Sequence, residues 1–497
     1  MKNSEILSGQ EAPATGDSMK KLALVVIPTM ENAYHNLRDF VAISPPMGLA
    51  SIAATAEHAG YNVSIIDGDA EQLTLAQTVE RVALLEPFAV GSTIMTATMD
   101  ITRIFFGMLK QRLPDVPVIV GGPHVSALPE QTLADSREID ICVIGEGDDT
   151  IVEILRMLDR GEDLGAIAGI AYRKEGQPAV TGRRAPIKDL TRLPIPAFHL
   201  FNHLLYRSYG WNKWVSGYRK PLGVIFTGRG CLGKCNFCAA HSVFGHGIRF
   251  FSMKQIKDQI DYLVSNWGIR VLYFQDDTFT ANRKLVNDIC GYLIEKGYNK
   301  RLEIMVSSRV DTIHLPTLKR MREASVRWIC FGVESGNQEI LNRMFKHITI
   351  NQIKKAYSLS REAGLFIAGN FMIGHLGETK ESALDTIRLA CELDQEYASF
   401  AIAIPLPGTE LYQHCLDNNI PLPTWNDFGS VNTPPIPLNE SLNSPELLRL
   451  RDLAVNSFFK RPVYFLKLLV RMKTWNVLKD FILMYFAIKA EKKAKRL

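Results

Sequence analysis

From Lys21 onward, short runs of β-branched and other apolar residues alternate with stretches whose apolar positions recur at helical spacing. The runs are LALVVIP (22–28), YNVSIID (61–67), FAVGST (88–93), VPVIVGG (116–122) and IDICVIGEG (139–147), with helices predicted through 47–59, 75–85 and near 100–112. Apolar runs of this length, closed by Gly, Pro or Asp, fit strands buried on both faces. Their alternation with helices predicts a parallel, doubly wound, Rossmann-like α/β domain over 21–160. Ligands of such sheets bind outside the carboxyl ends of the strands. The loops there, IDGD (66–69), GST (91–93), GGPHVS (121–126) and GEG (145–147), are built largely from small residues. Small residues let the backbone approach a large ligand closely, although tight strand-to-helix turns use the same residues. No GxGxxG follows the first strand, which argues against an ordinary dinucleotide site.

A second alternating series begins at PLGVIFT (221–227). It continues through VLYFQDD (271–277), LEIMVSS (302–308), RWICFGVES (327–335), FIAGNFMIG (366–374) and YASFAIAIP (397–405), with helical segments at 253–265, 284–296, 340–343 and 353–363. Six such units exceed what most flat sheets of this size show and fall short of a closed eight-stranded barrel, so a partial (β/α)6 barrel is predicted over 217–410. Residues 161–216, with a predicted hairpin in GIAYRKEGQPAV and the Pro-containing run LPIPAFHLF, read as a linker. Residues 1–20 read as a flexible leader. Residues 411–497 read as a helical region whose end, KRPVYFLKLLVRMKTWNVLKDFILMYFAIKAEKKAKRL, mixes apolar, aromatic and basic positions. Capping helices with a solvated basic face fit that pattern, as does an interfacial segment on a membrane or an apolar substrate.

Length and composition narrow the picture. A chain of 497 residues needs more than one core, and 46% hydrophobic with 22% charged residues is ordinary for a folded protein. A net charge of +5 lends little support to a nucleic-acid partner. No stretch reaches the roughly 18 apolar residues of a membrane span, and the polar start lacks a signal-peptide core. The expected location is the cytoplasm, with the C-terminal region offering peripheral contact with the inner face of the membrane.

Three of the eight cysteines, Cys231, Cys235 and Cys238, fall in TGRGCLGKCNFC, directly after the first strand of the second series. Random placement would produce that spacing in roughly two sequences in a thousand. Cys142, Cys290, Cys330, Cys391 and Cys415 sit mostly in apolar segments and read as core packing. Clustered thiolates suit an iron-sulfur cluster or zinc. Zinc asks for a closed set of four, for which His241 is the nearest candidate. Three cysteines on a cubane leave one iron open to coordinate a substrate.

A CxxxCxxC loop after the first strand of a six-unit partial barrel resembles the radical S-adenosylmethionine (SAM) superfamily. That resemblance implies a 4Fe-4S cluster on Cys231, Cys235 and Cys238, with SAM on the open iron and a 5'-deoxyadenosyl radical produced by one-electron cleavage. It further implies SAM contacts along the barrel. Phe237 would lie near adenine, one of Gln275, Asp276 and Asp277 near the methionine amino group, and Ser308 and Arg309 near the carboxylate. Glu334 would lie near the ribose, with Ser335 beside it as a further cofactor contact, and Asn370 in GNFMIGHLGET near adenine. His375 and Leu376 depart from the family's usual Leu-Pro. The segments GGPHVSALPE and VIGEGDDT ahead of such a barrel resemble the cobalamin-binding subgroup. Ser92, Thr93, Gly121, Gly122, His124, Gly145, Glu146 and Gly147 are then the implied cobalamin-side residues. No DxHxxG is present, and His124 is expected to position the backbone rather than bind cobalt. The resemblance implies a small-molecule substrate, a flavodoxin or ferredoxin as reductant and, as leading activity, methyl transfer from methylcobalamin to an unactivated carbon. The alternative is an oxidative cyclase resembling anaerobic magnesium-protoporphyrin monomethyl ester cyclase. The basic aromatic C-terminus favours an apolar substrate such as a lipid or tetrapyrrole.

Overall fold

A computed structural model of the chain describes residues 19–29, 43–206, 221–428, 435–438, 441–462 and 464. The expected leader up to residue 18 and the basic, aromatic end beyond residue 464 lie outside the described residues.

Strands β1 (Lys21–Val26), β2 (Asn62–Asp67), β3 (Ala89–Thr93), β4 (Val118–Gly121) and β5 (Ile141–Val143) form a parallel sheet in the order β2-β1-β3-β4-β5. Both faces are buried. Val25, Val90, Phe105 and Val120 fill one side, and Leu24, Ala53, Ile119 and Ile154 the other, which is why these strands read as unbroken apolar runs. The order reverses between β1 and β3, so the crevice of this doubly wound sheet opens at their carboxyl ends. The hairpin expected in the linker is present as β6 (Ile170–Lys174) and β7 (Gln177–Val180). It extends this sheet, with β6 antiparallel to β5. Ile170 and Ala171 are buried against the two faces, so this part of the linker is held by the same apolar burial as the strands beside it.

Strands β8 (Leu222–Ile225), β11 (Val271–Phe274), β12 (Glu303–Ser308), β13 (Val326–Glu334), β14 (Phe366–Ile373) and β15 (Tyr397–Ile402) form the second sheet. It is all parallel and in sequential order. β8 and β15 are its two edges, which makes it a partial barrel. Several helices behind it start where the sequence places capping boxes: Ser252 with Gln255, Thr349 with Gln352, and Thr379 with Ser382. The helix Ser444–Phe459 buries Leu447, Leu450 and Phe458 in the barrel core, and Tyr464 donates from its hydroxyl to Glu396 O at 2.7 Å. This helix therefore belongs to the barrel, because its apolar face covers β14 and β15, whereas Trp425 packs on the N-terminal domain.

Between β8 and β11 lies an element that the hydropathy pattern does not reveal. β9 (Gly228–Cys231) and β10 (Gly247–Phe250) form a separate antiparallel ribbon. GRGC and GIRF are too short and too glycine-rich to show alternation. No helix among the described residues is long and apolar enough to cross a membrane.

Candidate active site

The ribbon and the helix Ala240–Phe244 frame the loop that carries Cys231, Cys235 and Cys238, all half-buried free thiols. The Gly233 N–H points at Cys231 Sγ, 3.3 Å away, and Cys238 N–H donates to Cys235 O at 3.1 Å. Asn236, between two of the cysteines, ties the loop down. Its N–H donates to Met344 O (3.2 Å), its amide to Arg343 O (2.8 Å), and its Oδ1 shares a 2.9 Å hydrogen bond with His375 Nε2. His375, which departs from the usual Leu-Pro, thus fastens the thiol loop. Among the described residues no three His, Cys, Asp or Glu side chains converge on the point a single ion would occupy. His241 Nδ1 lies 3.2 Å from Gly245 O. A cubane needs no such convergence, because each thiolate takes a different iron. A Cβ at Gly233 would lie 3.5 Å from Cys235 Sγ, 3.6 Å from Cys231 Sγ and 2.7 Å from Arg309 Nη1, so glycine keeps the space between these groups clear. The loop therefore fits a cubane.

Burial pushes the Cys238 thiol up to about 11. It also raises Cys235, while Lys346 and Arg309 pull that thiol back toward ionisation. Binding iron must therefore release protons from this loop. Lys346 is buried, 2.8 Å from Glu334 Oε1. Arg309 is also buried, but Asp311 closes its Nε and Nη2 edge at 3.0 and 2.9 Å, and Nη2 donates to Lys346 O as well. The Arg309 fork is thus occupied, and Nη1 is the edge that faces the thiol loop. Glu334, Phe345 and His347 all have left-handed backbone, with φ of 68°, 50° and 54°. Such strain in non-glycine residues needs strong support from its surroundings and clusters at functional sites.

The other barrel positions divide. Asp276 is buried and committed: its Oδ1 accepts from Thr227 N, Thr227 Oγ1 and Gly228 N at 2.8–3.0 Å, and burial raises it to about 7. Gln275 and Asp277 are exposed at the strand end. Ser308 is buried against Thr280 and Thr312, and Ser335 against Thr386 and the Asn337 N–H. Both hydroxyls are thus engaged within the fold. Asn370 is exposed on β14, with its amide 3.5 Å from Cys330 Sγ. Phe237 stands edge-on to His375.

A cavity of about 300 Å³ opens at the carboxyl ends of β1, β3, β4 and β5. Ser92, Thr93, Gly121, Gly122, Gly145, Glu146 and Gly147 all line it, over a floor of Leu24, Ile119, Val120 and Val143. A Cβ on Gly122, whose φ is 101°, would meet Ile94 O at 2.8 Å. The backbone therefore turns there as only glycine allows. From the barrel side, Phe226, Gly228, Arg229, Gly230 and Asp277 complete the wall. An apolar floor with a polar, glycine-rich rim fits part of a bulky cofactor.

His124 is not among the lining residues. It is fully buried, with Nδ1 3.2 Å from Thr96 Oγ1 and its ring edge-on to Trp425. Burial lowers its pKa to about 4. The unfolded chain protonates this ring near ~6.5, so the neutral ring contributes stability above that pH, and the contribution is lost as pH falls toward 4. Asp67, raised to about 6, and Glu378, raised to about 7, respond in the opposite sense, so a difference between variants is the quantity to read. The gap in Tm between the native protein and His124→Asn should narrow as pH falls from 6.5 to 4.5, with cobalamin binding retained. A gap independent of pH would contradict the assignment.

The sequence reading overlooked Lys346, Arg229, Arg249 and Asp148. Each is an ordinary charged residue in its local context, and only its distant partner makes it notable.

The B12 binding domain family model matches residues 36–155, and the Radical SAM superfamily model matches residues 225–390. A protein of Pyrococcus horikoshii, named as an uncharacterized methyltransferase, is 33% identical over 445 residues, covering 89% of this chain and 94% of its own length. The anaerobic magnesium-protoporphyrin IX monomethyl ester cyclase of Cereibacter sphaeroides is 26% identical, over 81% of this chain and 65% of its own. Among solved structures, the radical SAM methyltransferase TsrM of Kitasatospora setae, with cobalamin and a [4Fe-4S] cluster bound, shares the fold. Its TM-score is 0.65 at 18% identity, over 80% of this chain and 76% of that one.

Proposed function

This chain belongs to the cobalamin-binding radical SAM enzymes, and from that premise we propose that it is a C-methyltransferase acting on an unactivated carbon of an apolar small molecule. The observation that carries the reading is the shared cavity, because a group held by Gly121, Gly122 and Gly145 faces the ribbon that leads into Cys231. When bound, the cofactors supply hydrogen abstraction at carbon and a methyl donor. Cys231, Cys235 and Cys238 would hold the cluster, which when bound would offer SAM a site free of protein ligands. Lys346 offers the cation for the SAM carboxylate, since Asp311 occupies the Arg309 fork. The oxygen of Glu334 that does not meet Lys346 accepts from hydroxyls, and Asp277 serves the amino group from the exposed strand end. A low-potential one-electron donor of flavodoxin or ferredoxin type supplies the electron.

The test is anaerobic turnover of the reconstituted protein, with 5'-deoxyadenosine and S-adenosylhomocysteine measured together. One of each per methyl group transferred is the expected result. Gly121→Phe serves as control: a Cβ there meets nothing closer than 3.8 Å, so the ring fills the cavity without backbone strain. This variant should lose cobalamin and S-adenosylhomocysteine while still forming deoxyadenosine. Deoxyadenosine without S-adenosylhomocysteine in the native protein would overturn methyl transfer in favour of the alternative, an oxidative cyclase; the Cereibacter relative is named a cyclase.

The apolar substrate is inferred from the aromatic and basic sequence after residue 464. Phe458 and Tyr464 are buried in the barrel core, so a deletion that tests this must spare them. Removing 465–497 should leave iron and cobalamin content unchanged and reduce partitioning onto anionic liposomes and uptake of an apolar substrate. Unchanged partitioning and uptake would remove the inference, together with peripheral membrane contact.

A further inference from the structure

All three cysteines lie in the excursion 228–250, which the six-stranded sheet does not include. The N-terminal domain grips that excursion. Arg229 Nη1 donates to Glu146 Oε1 (3.0 Å) and Asp148 Oδ2 (2.7 Å), and Nη2 to Asp148 Oδ1 and Ser51 Oγ (both 3.0 Å). Arg249 Nη1 donates to Glu146 Oε2 (2.7 Å) and Ile187 O (2.6 Å), and its Nη2 to Phe244 O (3.0 Å). The Ser51 hydroxyl also donates to Asp148 Oδ1 at 2.6 Å, and the Ile187 N–H to Glu146 Oε2 at 2.8 Å. Two cations thus meet two anions, with every carboxylate oxygen paired, and the four side chains are 3–17% exposed.

The two arginines face each other across the ribbon, where Arg229 pairs with Arg249 in register. Gly230, with φ of 92°, would place a Cβ 2.2 Å from Gly247 O, so the ribbon closes tightly one residue before Cys231. Glu146 and Asp148 belong to the GEGD turn that rims the cavity. The backbone ribbon that ends at Cys231 is therefore joined to the cavity rim by charge-assisted hydrogen bonds from Arg229 and Arg249, which hold geometry more strictly than packing alone.

We propose that Arg229, Arg249, Glu146 and Asp148 are positioning residues that fix the distance between the cobalamin loop and the cluster loop, and so set how often a substrate radical is met by a methyl group. The proposal rests on the methyl-transfer reading above for its consequence in turnover, but not for the distance it asserts. Geometry matters here because a misplacement near 1 Å can cost about a hundredfold in rate.

Arg249 is the residue to change, since it contacts neither the cavity nor the thiols. In reconstituted full-length protein, Arg249→Met should keep iron and cobalamin content. It should broaden the dipolar coupling between cob(II)alamin and the reduced cluster, and lower methyl groups transferred per deoxyadenosine by about fivefold or more. Arg249→Lys retains one charged donor for Glu146 and should recover most of both. Native coupling in both variants, at native metal content, would overturn the proposal. So would parallel loss of iron, cobalamin and both products in both variants, which would make the network a fold determinant only. If the native enzyme transfers no methyl group, the methyl-transfer reading fails, while the coupling measurement still decides whether the distance is fixed this way.

Discussion

Replacing Cys235 by alanine should strip the reconstituted protein of its cluster and lower 5'-deoxyadenosine formation by more than about a thousandfold, because an unassembled redox centre retains no partial activity. Burial raises the Cys235 thiol, and the Lys346 and Arg309 cations pull it back toward the thiolate that iron requires. The glycine-rich cavity has its floor on the other sheet and none of the three cysteines lines it. Cobalamin content should therefore stay native, and so should the far-ultraviolet spectrum. Iron and sulfide analysis with product quantification checks this, and retention of a full cluster in Cys235→Ala would remove these three thiols as its ligands.

Lys346→Met should weaken SAM binding to cluster-loaded protein by about 10–100-fold, the range for losing one charge-assisted hydrogen bond. The substitution has a second effect, since Glu334, whose side chain is 12% exposed, would lose its 2.8 Å partner, at a cost of up to about 3 kcal/mol for the uncompensated carboxylate. The double variant Lys346→Met/Glu334→Gln separates the two. It removes the uncompensated charge and should recover most of the stability, while SAM affinity stays low. Equilibrium binding and thermal unfolding, run on all three variants, make the comparison. Native SAM affinity in the double variant would show that the pair is structural and that the carboxylate is held elsewhere.

Lys346 also illustrates where reading the chain stops. It follows Phe345 in RMFKHITI, with no motif around it, and becomes informative only when the barrel brings it to Glu334 and Cys235. Glu146 is instructive in the opposite direction. Its place in a small-residue strand-end loop marks it as a cofactor contact, and it does line the cavity, yet both carboxylate oxygens are engaged by Arg229 and Arg249. Ser308 and Ser335 stand at the expected strand ends with hydroxyls turned into the fold. Strand-end position was legible for all of these. Side-chain direction was not, because for Glu146, Ser308 and Ser335 it depends on neighbours 28 to 103 residues away.

By itself, the sequence determined the two sheets and their order, since buried parallel strands must be apolar along their whole length and so announce themselves locally. It also determined the thiol loop, whose chemistry needs three cysteines within eight positions of one segment, and the glycine-rich loops, where backbone must come close to a ligand. Tertiary structure alone decided that the 170–180 hairpin extends the first sheet and that the N-terminal domain grips the thiol ribbon. These features rest on charge pairs and edge pairings between distant segments. Such contacts carry no local periodicity, because either partner, taken alone, looks like any other solvated charge or short polar strand.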